Sequence, residues 1–170
     1  FSESDLGERI RVVWSGAEYR GRGRETNWKG RASFGGAQIR RMEKINAWNH
    51  ERKLEQHGAN TMVFDAITTG NFGGFDAWLE DTDGASLDIS TNLGTLQVPL
   101  SDIGIEDVTM EAGGLERKIR AFRLPEDNPH RTITTELEIP IKADGDNPLW
   151  VCVTTEDGFQ AWSSPIYVFK

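Results

Sequence analysis

The sequence predicts an all-β fold, an antiparallel β-sandwich of the immunoglobulin or fibronectin kind with about eight to eleven strands. Three observations carry the prediction. Apolar and polar residues alternate with period two over much of the chain. Gly-rich turn pairs (Gly35-Gly36, Asp83-Gly84, Gly113-Gly114, Asp144-Gly145 and Asp157-Gly158) separate the alternating runs. Only one segment, Ala47 to Gly58, has helical composition, and its apolar members Ala47, Trp48 and Leu54 form no stripe, so it is expected to be a loop or one short helix.

The opening strand sends Ile10, Val12 and Trp14 to one side and Arg9 and Arg11 to the other. Further strands are expected over 18–25, 28–33, 37–45, 61–69, 75–81, 85–91, 94–100 and 116–124. Ile133, Leu137, Ile139 and Ile141 line one face of another, opposite Thr132, Thr134, Glu136 and Glu138. The chain closes on two strands within Asn147–Lys170, joined at Glu156-Asp157-Gly158, where glycine accepts a positive φ without a Cβ clash. Residues 1–8 are expected to be linker, and 9–170 a single domain.

A chain of 170 residues buries roughly 70% of the surface that its unfolded form exposes, so it needs no disulfide or metal staple. The single cysteine, Cys152, forms no internal bridge and leaves the compartment undetermined; its place in an alternating strand predicts a small, buried or half-buried hydrophobe. A formal net charge of -8 argues against nucleic acid as a general partner, since phosphate contacts need a basic surface. No apolar run is long enough for a membrane span. Phe1 stands where an initiator methionine would, and no signal-like segment follows it, which predicts a piece of a longer protein.

Two segments, Trp14–Arg31 (WSGAEYRGRGRETNWKGR) and Asn147–Val168, together resemble the C-terminal β domain of PHP-type metal-dependent phosphoesterase-like proteins. In that family an RGRGR-like strand and a Trp-x-Gly strand open the domain, and a DG hairpin with a W-S-S-P strand closes it. The resemblance implies an upstream catalytic domain in the same polypeptide, with a His-x-His metal pair. His50, His57 and His130 include no such pair, so no catalytic or metal-binding residue and no cofactor transfers to this chain. The implied function is a non-catalytic accessory domain that packs on or modulates the catalytic part.

Two further groupings define the candidate interaction surface. Arg20, Arg22 and Arg24 alternate with Gly21 and Gly23, which on a strand would put three guanidiniums on one face. Such a stripe suits cross-strand acids, an acidic neighbouring domain or an anion. It also suits stacking on Trp14, Trp28 or Trp162. Six tryptophans supply the second grouping: exposed coplanar rings would make a platform for sugars, with Trp48 and Trp78 the candidates, and an independent carbohydrate-binding module is the alternative function.

The remaining groupings favour plain structural readings. Asp81-x-Asp83-Gly84 resembles the start of a calcium loop, but the twelfth residue from Asp81 is Asn92 rather than glutamate, so a hairpin turn is expected. His50 and His57 share a polar segment with Glu51 and Glu55 without a complete ligand set. Ser163 and Ser164 precede Pro165, where an edge strand ends or kinks. No nucleophile has a base to activate it in sequence, so this chain is not expected to be an enzyme.

Overall fold

The computed structural model describes residues 6–18, 24–46, 53–126, 132, 134–154 and 160–168. The chain divides into two compact units, Phe1–Asn128 and Pro129–Lys170. The sequence reading draws one sandwich domain across 9–170, whereas both sheets of the sandwich lie in the first unit.

The described residues of that unit form ten strands: β1 (Arg9–Ala17), β2 (Thr26–Gly35), β3 (Gln38–Ile45), β4 (Lys53–His57), β5 (Thr61–Thr68), β6 (Phe72–Glu80), β7 (Ser86–Thr91), β8 (Gly94–Pro99), β9 (Val108–Glu111) and β10 (Leu115–Leu124). They form two five-stranded antiparallel sheets, with orders β3-β6-β1-β10-β9 and β4-β5-β2-β7-β8. The all-β sandwich expected from alternation is the observed fold.

The inner faces are the alternating positions that the sequence marks. Ile10, Val12 and Trp14 of β1 join Phe75, Ala77 and Leu79 of β6 and Ile119 and Ala121 of β10 from one sheet. Trp28, Ala32, Phe34, Met62, Phe64, Leu87 and Ile89 come from the other. Trp14 stacks on Phe64 across the interface, with ring centroids 4.5 Å apart and planes 19° apart. Burying such side chains contributes roughly 1.5–3 kcal/mol each, the main favourable term for a fold of this size. Trp28 is wholly buried, and its Nε1–H donates to Thr68 Oγ1 at 2.9 Å, which satisfies its one polar atom.

Several expectations need correction. Lys53–His57 is neither loop nor helix but an edge strand paired with β5, with only Leu54 of the five turned into the core. A strand needs only one buried residue in five when it lies at an edge, and period analysis is blind to that. Val108–Glu111 is a strand that the sequence reading omits. The Gly35-Gly36 and Asp83-Gly84 turns are not hairpins: each carries the chain from one sheet to the other, β2 to β3 and β6 to β7. Turn chemistry specifies that a chain reverses, not which sheet receives the next strand.

In the second unit, β11 (Asn147–Leu149) pairs with β14 (Ile166–Val168), and β12 (Cys152–Thr154) with β13 (Gln160–Trp162). The closing strand pair is therefore present. Its register slips by one residue between Leu149↔Ile166 and Cys152↔Trp162, at Ser163-Ser164-Pro165, where proline removes a ladder donor. The strand expected over 133–141 does not form: residues 134–142 carry no ladder, and Leu137 is 75% exposed. Ile133 lies outside the described residues.

Candidate functional site

The back of the first sheet, away from the core, holds the most concentrated chemistry in the first unit. Alternation turns Arg9 and Arg11 of β1 to that side, and register sets Arg9 opposite Trp78 and Arg11 opposite Asp76 of β6. Asp76 is 2% exposed. Its carboxylate accepts from Arg11 Nε at 2.6 Å, from Arg11 Nη2 at 2.7 Å and from Arg9 Nη2 at 2.5 Å. The Arg11 contact is the two-pronged fork that a guanidinium makes with a carboxylate.

Trp78 completes the group. The guanidinium carbons of Arg9 and Arg41 lie 4.7 and 4.2 Å from its ring centroid, and its Nε1–H donates to the Glu126 carbonyl at 3.4 Å. Cations over an indole face are attracted by its quadrupole, more strongly where water is excluded. β3, β6 and β1 are thus tied side by side by one carboxylate and one indole. The three donor contacts on Asp76 leave the arrangement suited to holding strands rather than to abstracting a proton or coordinating a metal.

Two of the five sequence-derived candidates, Arg24 and Trp78, lie among the described residues. Trp78 is 3% exposed and is no part of an open platform, because the two arginines cover its ring. An arginine–tryptophan stack does exist, but Arg9 and Arg41 form it rather than the RGRGR arginines. Arg20, Arg22 and Trp48 lie outside the described residues, as do His50 and His130. Arg24 is exposed and precedes β2 without belonging to a strand. Trp14 and Trp28 are core residues. The sequence signal for the cluster was Asp76 itself, an acid amid Phe75, Ala77 and Leu79, in step with Trp78. Nothing in sequence pairs it with Arg9 and Arg11, some 65 positions away.

Two lesser features belong to the same unit. A depression of about 260 Å³ is lined by Thr82, Asp83, Gly84, Leu100, Ser101 and Arg123, among others. Arg123 is spent on closing the fold: it donates to the carbonyls of Ile103, Leu100 and Gly7 and to Glu8 Oε2. On β10, Lys118 bonds Glu116 at 2.7 Å, and that hydrogen bond holds the Glu116 carboxyl below its ordinary range and raises the ammonium of Lys118. Among the described residues no group of three or more His, Cys, Asp and Glu is placed to hold a metal ion.

The second unit supplies the exposed aromatic surface. Residues directly opposite across a ladder share a face, so Pro148 lies with Tyr167 and Cys152 with Trp162, and alternation adds Trp150. Trp150, Trp162 and Tyr167 are 53%, 60% and 51% exposed. The other face presents Leu149, Val151, Val153 and Ile166, of which the last three are exposed. Cys152, expected to be buried or half-buried, is exposed and free. Among the described residues of its own unit no second layer covers the two-stranded ladder, which alternation could not reveal.

No family model, no curated protein and no solved structure matches this chain. No described helix is long and apolar enough to cross a membrane.

Proposed function

We propose that this chain is a non-catalytic accessory domain, immunoglobulin-like in kind, that packs on the catalytic part of a larger PHP-like hydrolase and stabilises it or shapes access to its site. The observation that carries the reading is the C-terminal hairpin, which presents apolar side chains on both faces at once. A hairpin that merely ends a soluble domain keeps one face polar. Apolar side chains exposed on both faces suit a contact with a neighbouring domain, and the RGRGR and W-S-S-P segments give the resemblance that nominates the upstream catalytic part as that neighbour. The test is the longer protein expressed with and without residues 129–170. Truncation is expected to lower both its unfolding temperature and its turnover. A truncated form equal to the parent in both would sink the proposal.

A second reading, a carbohydrate-binding module, draws support from a different set of tryptophans than Trp48 and Trp78. Trp150, Trp162 and Tyr167 share one face of the hairpin, with Thr154 and Gln160 on the same side to hydrogen-bond hydroxyls. Indole faces suit the apolar faces of pyranose rings. This reading predicts a change in tryptophan emission on adding polysaccharide that is lost in W150A and W162A. A glycan array without binding removes it.

A further inference from the structure

The second unit has strands but no interior. Among the described residues, the buried hydrophobic side chains all lie between Ile10 and Leu124, within the first unit. One described residue of the second unit is buried, the polar Asn147. Trp150, Val151, Val153, Trp162, Ile166 and Tyr167, which would make a core there, are each more than half exposed.

What holds the ribbon is local and polar. The β11–β14 and β12–β13 ladders have three residue pairs each, and the register slips between them. Asn147 pins one end: its Oδ1 accepts from the Lys142 N–H at 2.8 Å, and its Nδ2 donates to the carbonyls of Lys142 and Val168, both at 3.2 Å. Ser163 bridges the slip, where its N–H donates to the Val151 carbonyl and its Oγ accepts from the Val151 N–H, both at 2.9 Å.

Such support is slight in water. A hydrogen bond open to solvent only exchanges one partner for another, at little net gain. Ordering a residue costs conformational entropy whether or not its side chain is covered, and burial of apolar surface is the main term that offsets it. A two-stranded ribbon by itself is therefore marginal, and independent stability takes three or more strands with a hydrophobic face, or packing against a helix. The sandwich meets that condition with two five-stranded sheets around one core. The ribbon does not.

We infer that the second unit is a separate and weakly held fold, which in this chain by itself opens far more readily than the sandwich and without unfolding it. Binding elements are drawn from the parts of a protein that open at low cost. On the function proposed above, the surface that covers the ribbon supplies the burial it lacks, so that docking and ordering become one event. The weak hold itself follows from exposure and ladder length, and stands apart from that reading.

Native-state amide exchange on the full chain tests the inference. The Val151 and Ser163 amides are expected to exchange at least about a hundredfold faster than those of Val12 and Phe75, which lie opposite each other in β1 and β6. Asn147→Ala, which removes the pin, is expected to leave the denaturant midpoint of the sandwich unchanged by circular dichroism. Val151 and Ser163 amides as slow as those of Val12 and Phe75, or an N147A midpoint well below that of the parent chain, would overturn it. The same two amides in the longer protein read the docking separately. They should become slow there, and if they stay as fast as in this chain, the proposed contact fails while the weak hold stands.

Discussion

Asp76 and Arg11 face each other across β6 and β1 with two hydrogen bonds, 2.6 and 2.7 Å long, at a carboxylate 2% exposed. The pair binds the central strand β1 of the first sheet to its neighbour β6 on the side away from the core. A buried pair of this kind is weak evidence of net stabilisation, because both ions lose their hydration. Losing one partner is another matter, since the remaining charge stays buried.

Removal of the acid gives the clearest stability prediction. Asp76→Ala leaves Arg9 and Arg11 buried without their carboxylate and should destabilise the fold by about 3–5 kcal/mol. Denaturant unfolding of D76A against the parent chain checks this, and a loss below about 1 kcal/mol would show that water reaches the cluster freely.

The described tryptophans divide into covered and open sets. Trp14, Trp28 and Trp78 are at most 3% exposed, whereas Trp150 and Trp162 are more than half exposed. Acrylamide or iodide should therefore quench only part of the native emission. W150F with W162F should lower the quenchable part, and W78F should leave it nearly intact. Equal quenching of every tryptophan would contradict the assignment of Trp78 to a covered stack.

Gly16 is the one glycine of β1. It sits at φ +89° in the bulge between Ser15 and Ala17, and a Cβ there would lie 2.2 Å from the Glu116 carbonyl oxygen. Alanine is disfavoured at that φ and has no room, because the obstacle is backbone rather than a movable side chain. Gly16→Ala should cost more than about 1 kcal/mol. Gly58→Ala is the comparison: its φ is also positive, at +68°, but nothing lies within 4 Å of the added carbon. Thermal unfolding of the two variants separates strain from collision, and an equal loss in both would leave the collision without effect.

Much of this fold was legible in the chain. Ile10, Val12 and Trp14 alternate with Arg9 and Arg11, and that alone assigns the buried side of β1, because side chains of successive strand residues leave opposite faces. The same logic finds Phe75, Ala77 and Leu79. It stops short at Lys53–His57, where an edge strand buries only Leu54, and at 134–142, where a fully alternating segment carries no ladder. Alternation reports which side chains could share a face, but a strand exists only where a neighbour offers its backbone.

The candidate site divides in the same way. By itself the sequence determined the all-β class, the inward residues of most sandwich strands and the presence of a closing hairpin, since these follow from local periodicity and turn chemistry. Only the tertiary structure decided that Arg9 and Arg11 would meet Asp76, and that Trp78 would lie beneath Arg9 and Arg41 instead of in an open platform. It also decided that Trp150 and Trp162 would be exposed. Those outcomes depend on register between strands far apart in the chain and on which faces receive a covering layer. Both are fixed by pairing and burial across the whole fold, and neither is written in the spacing of neighbouring residues.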